Sequence, residues 1–97
     1  MKQLINVTGV QALDATRLRL SFSDGQHGIM DLSDILAEGG SMVEPLRRAD
    51  FFRRVFVQCG VPTWPNGFDL DAIRLHADME AAGLLEPNTS ATRNAAE

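Results

Sequence analysis

Seven residues, Trp64-Pro65-Asn66-Gly67-Phe68-Asp69-Leu70, constrain this chain more than any other stretch. They set the sole tryptophan, an Asn-Gly turn signal and a helix-starting carboxylate side by side. Asn-Gly accommodates the positive φ of a tight turn. An Asp ahead of an apolar-periodic run satisfies the free N–H groups of a helix start. The segment therefore predicts a strand that ends, a turn, and a helix capped by Asp69 or Asp71. It specifies structure, and it specifies no reaction.

The helix that follows is predicted over Asp69 to Gly83. Leu70, Ile73 and Ala77 form one stripe, with Ala72, Leu75, Met79 and Ala82 beside it. Gly83 is placed as a left-handed cap, with Leu84 folding back in a Schellman arrangement. Before the tryptophan, Val55 to Gln58 and Gly60 to Trp64 read as a hairpin turning at Cys59-Gly60. Pro62 confines its second strand to a short or edge position.

The N-terminal half carries the clearest periodicity. Arg17 to Phe22 alternates strictly, with Leu18, Leu20 and Phe22 on one face and Arg17, Arg19 and Ser21 on the other. This is a strand with one buried and one wet face. A strand interrupted at Gly9 precedes it, and Asp24-Gly25 turns it into a returning strand over Gly28 to Leu32. A short helix follows over Asp34 to Glu38, capped by Asp31 or Ser33 and ended by Gly39-Gly40. Pro45 fits a first helical turn, and a further turn is expected near residues 49–54.

At 97 residues the chain holds one domain. We place it at residues 1–85, with 86–97, which lack large apolar side chains, as a disordered tail. The expected fold is α+β: a small antiparallel meander of four or five strands, short helices, and a C-terminal helix packed on the sheet. No apolar run approaches the ~20 residues needed to span a bilayer, and no signal-peptide pattern opens the chain. With a single cysteine, Cys59, there is no internal disulfide. A cytoplasmic location is the expectation.

The residues assembled above resemble a bacterial family of small proteins known as domain-of-unknown-function family 2442. The resemblance rests on Phe22-Ser23-Asp24-Gly25, on Asp31-Leu32, on Leu46 before Phe51 or Phe52, and above all on Trp64-Pro65-Asn66-Gly67 with Asp69-Leu70. It implies a compact α+β domain encoded beside another small protein, as in toxin–antitoxin pairs, and it carries no catalytic residues. Asp71-Ala72 stands where such motifs often have proline after Asp-Leu. Some relatives carry an added DNA-binding helical module, for which this chain is too short.

The net charge of −4 argues against a phosphate-binding surface in general. The charge is uneven, however: residues 47–54 hold four arginines, Arg47, Arg48, Arg53 and Arg54, against one aspartate. Arginine pairs bidentately with carboxylates and phosphates, so this island marks either a solvated face or a docking site. Trp64 reads as a core anchor clamping the last strand to the C-terminal helix, or as an interface aromatic beside Asn66 and Phe68.

Catalytic chemistry has thinner support. His27 and Asp31 share a strand face but lie about 13 Å apart, at ~3.3 Å per residue. His76 and Glu80 are spaced as a helical surface pair, and Cys59 has no histidine nearby in sequence. Asp24, Asp31, Asp69 and Asp71 each have a turn or cap role. We therefore expect no catalytic residue, no metal and no cofactor. The expected function is a non-enzymatic protein-interaction module, antitoxin-like, whose partner is another small protein or a second copy. Its candidate surface is Arg47, Arg48, Arg53, Arg54, Trp64, Asn66 and Phe68, together with an open strand edge near Val61 to Trp64. The alternative is a regulator associated with nucleic acid or a small ligand through the arginine island.

Overall fold

The computed structural model describes residues 5–87. Strands β1 (Val7–Ala12), β2 (Arg17–Phe22) and β3 (Gln26–Asp31) form an antiparallel meander. The alternation in β2 has the predicted consequence: Leu18, Leu20 and Phe22 are buried, while Arg17 and Arg19 are exposed. A register shift between Val7 and Gly9 gives β1 its predicted irregularity. Asp14 closes the β1–β2 connection by accepting the N–H groups of Thr16 (3.0 Å) and Arg17 (2.9 Å) and the Arg17 guanidinium (2.8 Å). Those bonds favour its charged form and hold its pKa at about 2. At the next turn Gly25 takes φ 87°, and Asp24 accepts the N–H of Gln26 at 3.1 Å.

Helix α1 (Ser33–Glu38) starts where Asp31 accepts the N–H of Ser33 at 2.9 Å. A 3₁₀ turn over Glu44–Arg47, with Pro45 in its first positions, leads to α2 (Ala49–Phe52). Strands β4 (Phe56–Gln58) and β5 (Val61–Thr63) turn through Cys59 (φ 53°) and Gly60 (φ 76°). They form their own two-stranded sheet. The expected antiparallel meander of four or five strands is present as a four-stranded sheet, and the predicted β4–β5 hairpin stands apart from it as a second sheet among the described residues.

The expected open edge near Val61 to Trp64 is also corrected. Thr63 bridges Asp69, Leu70 donates its N–H to the Pro62 carbonyl (3.1 Å), and Trp64 donates its N–H to that of Phe68 (2.9 Å). The Asn-Gly turn folds the following segment back along β5 and occupies that edge.

Helix α3 (Ala72–Ala81) is shorter than the sequence pattern. Asp71 is its cap, accepting the N–H of Arg74 at 3.2 Å, because Asp69 is engaged in the bridge to Thr63. Ala72, Leu75 and Met79 are the buried stripe, whereas Ile73 and Ala77 of the first predicted stripe face outward. The Schellman end is as predicted: Gly83 has φ 72°, and Leu84 donates its N–H to the Met79 carbonyl at 2.9 Å.

Strand β6 (Glu86–Pro87) then pairs with Gln26 and His27, giving the order β1-β2-β3-β6. Two residues assigned to the tail are therefore part of the sheet; residues 88–97 lie outside the described residues. Among the described residues, no helix is long and apolar enough to cross a membrane. Gly28 on β3 lies tight against Met79 of α3 and against Leu84 just beyond it. A methyl there would collide with the Leu84 carbonyl and sit 2.8 Å from the Met79 Cε.

Candidate interaction surface

Trp64 is fully buried, with 0% of its surface exposed. Its indole N–H donates to the Phe52 carbonyl at 3.0 Å, and its ring lies 5.8 Å from those of both Phe52 and Phe68. It anchors the chain after β5 to α2 and contributes no side chain to a surface, which corrects its place among the candidate contact residues. The physical reason is local. A donor at the indole edge satisfies the last carbonyl of a four-residue helix while the ring fills the space beneath it.

Asn66 is likewise committed to structure. Its amide donates to the Met42 carbonyl at 2.9 Å, and its side-chain oxygen accepts the N–H of Phe68 at 3.2 Å. Gly67 completes the turn with φ 91° and an N–H bond to the Trp64 carbonyl at 2.9 Å. Phe68 is half-buried against the core. The Trp-Pro-Asn-Gly segment is a brace across the fold.

The four arginines divide. Arg47, its side chain still 45% exposed and 3.6 Å from Glu44, reaches across to α1, donating from Nε to the Leu36 carbonyl (2.8 Å) and from Nη2 to that of Ala37 (3.3 Å). It completes the carbonyl end of that helix, where a cation also meets the negative end of the dipole. Arg48, Arg53 and Arg54 are exposed as well, and their side chains make no such bonds to backbone. Arg48 has a side chain 76% exposed and only a loose ion pair, 3.6 Å to Asp50. Among the described residues, no hydrogen bond or ion pair holds the side chain of Arg53 or Arg54.

Arg48 and Arg54 line an open groove of about 470 Å³ with Ser41, Glu44, Pro45, Asp50 and Phe51. The half-buried Phe51 and Pro45 supply an apolar floor, and the guanidinium groups supply planar, multi-donor edges suited to carboxylates. The neighbouring carboxylates of Glu44 and Asp50 weaken the attraction of the groove for any anion, and more so for a doubly charged phosphate than for a carboxylate. An exposed pair such as Arg48–Asp50 is worth only about 0–1 kcal/mol, so a partner's carboxylate can displace it cheaply.

One close pair was not visible in the sequence. His76 on α3 and Asp24 in the β2–β3 turn approach to 2.7 Å, 52 positions apart, with side chains only 13% and 19% exposed. The His76 ring also meets Phe22 edge-on, centroids 5.0 Å apart at 85°. The pair fixes the hairpin tip to the helix. The sequence places His76 beside the Leu75 and Met79 stripe, but nothing in it brings Asp24 to that position.

The other titratable candidates have separate neighbours. His27 lies 3.9 Å from Glu86 on β6, and Cys59 is exposed in the β4–β5 turn. Among the described residues, no group of three or more His, Cys, Asp or Glu side chains is arranged to hold a metal ion.

The model of one protein family matches residues 7–90; that family is described as a protein of unknown function, DUF2442. The match spans both sheets and α3. No curated protein and no solved structure matches the chain.

Proposed function

We propose, for a chain that belongs to the DUF2442 family, the role of a non-enzymatic protein-interaction module. It is the regulatory, antitoxin-like member of a small bacterial gene pair, acting in the cytoplasm by covering an acidic surface of its partner. The observation that carries this reading is the division of the arginine island. Arg47 is bonded to α1, while Arg48 and Arg54 border a groove with Phe51 and Pro45, and Arg53 is exposed beside them in sequence. An aromatic and a proline bordered by exposed arginines supply residue types that recur in binding hot spots.

Co-purification with the products of the genes flanking its own tests the proposal. The wild type should retain one of them, and the Arg48/Arg53/Arg54→Ala variant should lose it while melting at an unchanged temperature. Retention of the same partner by the folded triple variant overturns the assignment. Recovery of nucleic acid, with binding that falls steeply as salt rises, would replace it with the nucleic-acid reading.

A further inference from the structure

A second groove, lined by residues of α1, α3 and the end of β3, has the opposite charge to the arginine groove. It encloses about 480 Å³ over the apolar side chains of Met30, Ile35, Leu70 and Leu75. Around these stand five carboxylates, those of Asp31, Asp34, Glu38, Asp71 and Asp78, against one lining cation, Arg74. That excess equals the net charge of −4 carried by the entire chain, so the remainder of the chain is neutral overall. Three of the acids have partners in the fold. Asp31 accepts the Ser33 N–H, Asp71 caps α3, and Asp78 lies 3.3 Å from Arg74. Asp34 and Glu38, one turn apart on α1, are exposed, and among the described residues no hydrogen bond or ion pair holds their side chains.

Carboxylates in a row are by themselves an ordinary solvated face. What distinguishes this groove is that its complement lies on the same chain. In and around the arginine groove, Glu44 lies 3.6 Å from Arg47 and Asp50 lies 3.6 Å from Arg48, which leaves Arg53 and Arg54 as the uncompensated cations beside Phe51 and Pro45. Each surface thus combines apolar side chains with two unpaired charges of one sign. The two are also neighbours across α1. Ile35 and Glu38 of that helix line the acidic groove, and its carbonyl end is held by Arg47, next in sequence to Arg48 of the other groove.

We infer that a second copy of this chain occupies the acidic groove, presenting Arg53 and Arg54 to Asp34 and Glu38. Because the two surfaces flank one helix, a two-fold axis lets each copy give its arginines and receive those of the other, and the contact closes as a dimer. Two chains of net charge −4 repel at long range. At about 0.15 M salt the Debye length of about 8 Å screens that repulsion more than it screens pairs in contact. The arginines of the dimer are those assigned above to a partner protein, so the second copy competes with that partner for them. This competition rests on the proposed function; the dimer itself does not.

Sedimentation and light scattering of the full chain alone, over a concentration series at about 0.15 M salt, test this. The mass should rise from 10.6 kDa to twice that value. Asp34→Lys with Glu38→Lys should raise the dissociation constant about tenfold, and so should Arg53→Glu with Arg54→Glu, because each sets like charges face to face. Mixing the two variants puts opposite charges back at both contacts and should restore association as a heterodimer. Circular dichroism of each variant establishes that it is folded, and Glu38→Gln with Arg54→Gln carry the same test, with smaller shifts, where a reversal unfolds the chain. A chain that stays at 10.6 kDa at millimolar concentration overturns the proposal. So does a dimer that the reversals leave unchanged, or a mixture that fails to associate. No other protein is present, so failure here leaves the co-purification result standing, and failure there leaves this one.

Discussion

The sheet and the segment that crosses it are held by different means. In β1–β3 the apolar positions repeat every second residue, the ladder satisfies the main chain, and many similar contacts share the load. From Gly39 to Leu70 there is little ladder. Order there comes from single side chains reaching distant carbonyls: Arg47 to Leu36, Trp64 to Phe52, Asn66 to Met42. The first region should yield gradually to mutation and the second abruptly, one anchor at a time. It is also the second region that offers the candidate surface, since its arginines divide into one bonded to α1 and three that make no such bond.

The largest effect should come from the largest anchor. Trp64→Ala is expected to cost about 3–5 kcal/mol, a large fraction of the roughly 5–15 kcal/mol available to a domain. Trp64→Phe keeps most of the ring but leaves the buried Phe52 carbonyl without its donor, at about 1–3 kcal/mol. Urea unfolding of both variants beside Leu20→Ala, expected at about 2–5 kcal/mol from the sheet side, measures the contrast. If Trp64→Phe unfolds at the wild-type midpoint, the indole N–H does not hold the crossing segment.

The next effect probes where the two regions meet. Gly28→Ala would push the new methyl against the Leu84 carbonyl and Met79 Cε. Overpacking of this kind costs about 1–3 kcal/mol, and hydrogen exchange should rise at Leu84, whose N–H closes α3. A neutral Gly28→Ala would show that α3 rides on the sheet more loosely than the geometry implies.

These two cases show what a sequence exposes and what it withholds. The β2 alternation, the Asp24-Gly25 turn and the Gly83 cap rest on neighbours a few positions away, and they are legible. The Trp64 bond to residue 52 and the Asn66 bond to residue 42 join positions 12 and 24 apart, and no periodicity encodes them. The arginine island looked uniform for the same reason. Only the position of α1 distinguishes Arg47 from Arg48. The closing of the β5 edge likewise depends on the path after Gly67.

A smaller effect tests that division of the arginines directly. Arg47→Ala removes two bonds to the end of α1 and should cost about 1–2 kcal/mol. Arg53→Ala, at the surface with no such bonds, should stay within about 0.5 kcal/mol. Thermal melts decide it, and equal losses would mean that the island acts as one structural unit.

The smallest effect belongs to the sheet, in the turn that joins β1 to β2. Asp14 has a pKa near 2 because the Thr16 N–H, and then the Arg17 side chain and N–H, stabilise its carboxylate. A carboxyl group whose pKa is lower in the folded chain than in the unfolded one, near 3.8, binds fewer protons when folded. Its contribution is complete above pH 4 and disappears as pH falls towards 2. Asp14→Asn should therefore melt below the wild type at neutral pH, with the gap narrowing across that acid window. The Asp31 pKa is also lowered, chiefly by the Ser33 N–H, so the wild-type acid limb should keep some slope in the variant. Melts at pH 7, 4 and 2 measure both, and a gap that is constant with pH would assign the loss to turn geometry rather than to charge.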